Sequence, residues 1–114
     1  MITQETLEGY YVTIGRLKQK YLSEKFEQDL PTFTSHTEAA DWFRSLFADS
    51  FVFVEQTDAA GTGVYYLYDI IHDKTIWEAR QKSLSEKGTA SGLGMLLCTQ
   101  RVDIYEDGSV QLAF

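Results

Sequence analysis

The sequence predicts an α+β fold, two N-terminal helices packed on one face of a four- to five-stranded antiparallel sheet made of a meander and a C-terminal hairpin. Three observations point there. Apolar residues recur every three or four positions up to about Asp49 and at every second position from Phe51 onward, and helices and strands bury their side chains with these two periods. A capping box, Ser35-x-x-Glu38, precedes the second helical stripe. Glycine-containing turns separate the alternating segments. With 114 residues, 44% hydrophobic content and a single proline, residues 1–114 read as one domain whose core needs neither metal nor disulfide.

Leu7, Tyr10, Tyr11, Ile14, Leu17, Tyr21, Leu22 and Phe26 step by three and four, which predicts a long amphipathic helix from about Thr3 to Glu27. Gly9 and Gly15 weigh against it, each costing up to about 1 kcal/mol relative to alanine. The run Tyr10 to Ile14 also suits a strand. Pro31 stops the segment, and the capping box opens a second helix from His36 to about Ala48.

Residues 51–57, 64–71 and 75–81 alternate and read as a three-stranded meander, although Trp77, Arg80 and Leu84 are also nearly in helical step. Residues 85–94 read as a loop and 95–105 as a long strand. In the last hairpin, a three-residue loop with a left-handed Gly108 sets Val110 and Leu112 opposite Ile104 and Val102, whereas a two-residue loop mixes apolar with polar partners. Pairing Phe53 with Tyr68, and Tyr68 with Trp77, gathers Phe51, Phe53, Glu55, Tyr66, Tyr68, Ile70, Trp77 and Ala79 on a core-facing side. The reverse side then carries Val52, Val54, Tyr65, Leu67, Ile71 and Ile76. Two helices cover only one face, so this apolar patch is expected to meet a partner.

Charge is unevenly placed. Between Phe26 and Ala60 there are seven acids and one base, Arg44, which accounts for −6 of the net −7. A phosphate backbone is disfavoured on that surface, where Glu38, Asp41 and Asp49 are the candidate acidic contacts. The start MITQETLEGYY has neither the basic residues nor the apolar run of a signal peptide, and the single Cys98 closes no intramolecular disulfide. Cytoplasmic localisation and the absence of a membrane span are the expectations.

Neither a catalytic group nor a cofactor or metal site is expected. His72 lies near Asp69 and Asp73, but a strand turns His72 and Asp69 to opposite faces, and a metal needs three or four converging ligands. His36 falls in the first turn of the second helix and reads as structural. The glycine-rich stretch 88–94 lacks the spacing of a phosphate cradle and precedes a strand rather than a helix. Cys98 shares strand parity with Val102 and Ile104, which predicts a buried, inert thiol.

These observations favour a small acidic non-enzymatic interaction or regulatory protein, self-associating as a homodimer or binding another protein through the reverse face and the acidic helix. A second reading is a cone-shaped ligand-binding or enzymatic domain with a pocket lined by Glu55, Tyr66, Tyr68 and Trp77. A third is an acidic inhibitor of a nucleic-acid-binding protein.

Overall fold

A computed structural model describes residues 2–14, 19–59, 63–88 and 98–113. The fold is α+β with two antiparallel sheets. A 3-10 turn at Leu7–Tyr10 leads into β1 (Tyr11–Ile14), which pairs with β2 (Gln19–Leu22). The short helix α1 (Glu24–Gln28) follows. The expected helix over 3–27 is therefore corrected to a hairpin and one short helix. Of its apolar stripe, Tyr10, Leu22 and Phe26 are buried, Leu7, Tyr11 and Tyr21 are half-buried, and Leu17 lies outside the described residues. Their spacing suited a helix by coincidence, and the aromatic and β-branched run Tyr11-Val12-Thr13-Ile14 follows its strand preference instead.

Helix α2 (His36–Phe47) begins as expected, with the Ser35 side chain accepting from the Glu38 N–H at 3.1 Å. Strands β3 (Phe51–Ala59) and β4 (Gly63–Ile71) form the first pair of a four-stranded sheet. Helix α3 (Lys74–Lys87) then replaces the expected third strand. Asp73 caps it by accepting from the Ile76 N–H at 3.0 Å, and Gly88, at φ 74°, ends it in the left-handed conformation. The sheet is completed by β5 (Thr99–Tyr105) and β6 (Val110–Leu112), in spatial order β3-β4-β5-β6. The expected strand over 95–105 thus holds from Thr99, and residues 95–97 lie outside the described residues. Of the expected loop, residues 85–87 belong to α3, and residues 89–94 lie outside the described residues.

Register sorts the faces. Phe51 pairs with Ile70 and Phe53 with Tyr68, as the alternation implied. The register then shifts, so Glu55 pairs with Leu67 and Val54 is the extra residue of a bulge. Val102 opposes Leu112 and Ile104 opposes Val110 across the turn that Gly108 closes with φ 92°.

The core lies between α2, α1 and the face carrying Phe51, Tyr68, Ile70, Val102 and Ile104. Phe43 stacks on Phe51 at 5.2 Å between ring centres, and Phe51 stacks on Tyr68 at 4.4 Å. Offset stacks of this kind add about 1 kcal/mol each to the area they bury. Phe26, fully buried, meets Tyr10, Trp42, Phe43 and Phe47.

One polar side chain ties the small sheet to the large one. Gln100 is fully buried, donates from Nε2 to the carbonyls of Leu22 and Ala113, and accepts the Leu22 N–H at Oε1. These bonds fix its amide orientation. The His72 Nε2 at 2.9 Å from Oε1 must therefore carry the proton and donate.

Candidate functional site

Helix α2 is the element around which chemically distinctive side chains collect. At its N-terminus the His36 ring lies parallel to Tyr66 at 3.6 Å, with Nε2 at 2.7 Å from the Tyr68 hydroxyl. The His36 N–H donates to the Glu106 carbonyl, which anchors the helix start to the last hairpin. Desolvation by these rings, then the charge of Arg44, lowers the His36 pKa, against the opposing pull of Glu106 and Asp41. Two turns further along, the Arg44 guanidinium stands 6.0 Å from the centre of the Tyr68 ring. Phe53 meets the same ring edge-on at 5.5 Å but remains 55% exposed. His36 thus joins a half-buried aromatic cluster that its lone position in the sequence did not reveal. Tyr68 is buried, so its hydroxyl serves the helix–sheet junction rather than a solvent-borne reactant.

The other flank of α2 borders a cavity of about 480 Å³. Its walls are Ile2, Pro31, Phe33 and Trp42, and its charged groups are Asp29 and Glu38. Glu38 and Trp42 reach it together because residues four apart share a helix face. Phe33 and Trp42 lie 5.6 Å apart between ring centres. Asp29 Oδ2 accepts from the Tyr10 hydroxyl at 2.8 Å, and Glu38 Oε2 accepts from the Thr34 hydroxyl at 2.9 Å. Of the three acids expected on this surface, Glu38 and Asp41 are exposed on α2, while Asp49 lies just beyond it and pairs with Lys74 at 2.8 Å.

The expected pocket of Glu55, Tyr66, Tyr68 and Trp77 is not assembled. Tyr66 and Tyr68 share the core-facing side, the bulge moves Glu55 to the register of Leu67 on the other side, and Trp77 stands on α3. Ala79, also expected beside them, is on α3 as well.

The reverse-face residues also separate. Leu67 and Ile71 are buried within one chain, and Ile76 belongs to α3. Val52 and Tyr65 are half-buried, and Val54 is 41% exposed at the bulge. The same face carries Tyr65 stacked on Tyr105, Asp69 accepting from Arg101 Nε at 3.2 Å, and Asp103. Desolvation raises the Asp103 pKa, with Arg101 acting against it.

Other candidate groups have structural roles. Asp69 pairs with Arg101, His72 binds Gln100, and Asp73 caps α3. Burial lowers the His72 pKa, which the Gln100 bond partly opposes, and burial raises that of the Cys98 thiol. A buried thiol held protonated is a poor nucleophile. Among the described residues, no group of three or more His, Cys, Asp or Glu side chains is placed to hold a metal, and no helix is long and apolar enough to cross a membrane. Compared with known proteins, the chain matches no family model, no curated protein and no solved structure.

Proposed function

We propose that this chain is a non-enzymatic interaction protein whose binding surface is centred on α2 and whose partner is a basic protein. The observation that carries the reading is Phe53. The ring row Phe43–Phe51–Tyr68 is buried, yet the ring that continues it on β3 is more than half exposed, against the same Tyr68 ring that Arg44 of α2 approaches. Aromatic side chains are enriched at the cores of protein interfaces, inside a polar rim. The surplus of acids between Phe26 and Ala60 supplies the complementary field for a basic partner and repels nucleic acid. Self-association through the reverse face has narrower support, because Leu67 and Ile71 of its apolar set are buried and Ile76 stands on α3, which leaves Val52, Val54 and Tyr65 accessible on the sheet.

The test is a paired capture from the native host with the unmodified chain and with Phe53→Ser, at low and at high salt. A protein retained by the first, lost with the second and released by salt is the expected result. A retained set indifferent to both the substitution and the salt would contradict the proposal.

A further inference from the structure

We infer that the cavity between the 29–33 segment and α2 is a receptor for an arginine or lysine side chain of that basic partner. Its volume of about 480 Å³ is within the range of sites that enclose a small ligand or a long side chain. Its lining combines two features that select a cation with an apolar stem. Trp42, Phe33, Pro31 and Ile2 offer apolar and aromatic surface, on which a guanidinium or ammonium stem packs favourably. Asp29 and Glu38 offer carboxylates already oriented by hydroxyl donors. Each spends one oxygen on its hydroxyl, leaving Asp29 Oδ1 and Glu38 Oε1 for a further donor. Among the described residues, Lys25 stands 3.9 Å from Asp29 on the oxygen that Tyr10 already occupies, and its own side chain is largely exposed.

Charge excludes the other occupants. A neutral apolar ligand would strip water from two carboxylates without replacing its hydrogen bonds. An anion would add repulsion. A peptide is favoured over a free small cation because residues 26–60 carry seven acids against one base, even with Asp41 paired to Arg44 at 3.4 Å, so neighbouring basic residues of one segment also gain.

The inference rests on α2 being the interaction surface, and its test is separable from that of Phe53. Trp42 and Trp77 are the two tryptophans, so a Trp77→Phe chain leaves Trp42, in the cavity wall, as the reporter. It is titrated with a capped peptide of alternating arginine and glycine, with the same peptide carrying citrulline, and with arginine amide. Isothermal titration of the unmodified chain reads the same affinities without fluorescence.

The arginine peptide is expected to change Trp42 emission saturably, and citrulline, of equal shape but no charge, to bind at least about tenfold more weakly. Glu38→Gln and Asp29→Asn keep an oxygen for the Thr34 and Tyr10 hydroxyls. Each is expected to weaken the arginine peptide about three- to tenfold. No saturable response, equal binding of the citrulline peptide, or unchanged affinity in both amide variants would overturn the assignment. Arginine amide binding as tightly as the peptide would overturn the peptide as the source of the cation. Loss of the Trp42 response with Phe53-dependent capture intact removes the cavity alone. The converse result removes the Phe53 reading alone.

Discussion

His72 shows how one residue couples the fold to pH. Its Nε2–H must donate to Gln100 Oε1, and its ring is packed between Tyr11 and Tyr21 at 5.6 Å from each. Burial lowers its pKa in the folded chain, while the unfolded chain titrates near the ordinary value of about 6.5. Between those two values the unfolded chain binds more protons. The contribution of His72 is therefore fully present above about pH 6.5 and is lost as pH falls from there toward the folded pKa. His36 is shifted in the same direction. Asp103, with its pKa raised, has the opposite slope in the carboxylate range, where the folded chain holds the extra proton. His72→Gln keeps a donor for Gln100 and removes the titration. Urea unfolding at pH 7.5 and pH 5 should show a smaller loss of stability in this variant than in the unmodified chain. Equal losses would mean that His72 titrates normally in the fold.

At the scale of elements, the most exacting junction is the last hairpin against the segment before α2. A Cβ on Gly108 would overlap the Phe33 carbonyl oxygen and lie 2.6 Å from its carbon and 2.9 Å from the Ser35 nitrogen, at a φ of 92°. Gly63 has a similar φ of 86° but open space around it. Gly108→Ala should therefore cost about 3 kcal/mol, strain plus clash, and Gly63→Ala about 1 kcal/mol, strain alone. Urea midpoints at unchanged slope measure both. Equal costs would show that the two elements can separate freely.

This hairpin was legible because only one register keeps Val110 and Leu112 on the apolar side, and α2 was legible because Ser35 and Glu38 announce it. Over α3 the sequence supports both a strand and a helix, with Trp77, Arg80 and Leu84 nearly in helical step. Asp73 and Gly88 bracket Lys74–Lys87 as cap and stop, and these were outweighed by the short alternation Thr75-Ile76-Trp77-Glu78. The bulge at Val54 left no such mark, and it alone moves Glu55 off the aromatic face. Much of the candidate site was equally hidden. Glu38 and Asp41 could be placed on an acidic helix, but Asp29, Phe33 and Trp42 meet only through the turn after α1. His36 reaches Tyr66 and Tyr68 across 30 positions or more of sequence.

Over the whole molecule, α2 divides two neighbourhoods with complementary properties. On one side the exposed Phe53 closes a row of buried rings, and on the other an aromatic cavity holds two oriented carboxylates. Both lie within the part of the chain that carries nearly all the net negative charge. An enzyme reading lacks comparable support, since the half-buried His72 and the buried Cys98 are shifted toward their uncharged forms and the Tyr68 hydroxyl is enclosed.

The most direct test of α2 as the binding surface is to follow backbone amide shifts by heteronuclear NMR while the arginine peptide is added at low salt. The expected shifts are confined to residues 29–33, the outer side of α2 from Glu38 to Arg44, and Phe53, and are reduced by salt through screening of the acidic field. Shifts centred on β5 or α3, or spread evenly over every exposed acid, would contradict α2 as the binding surface.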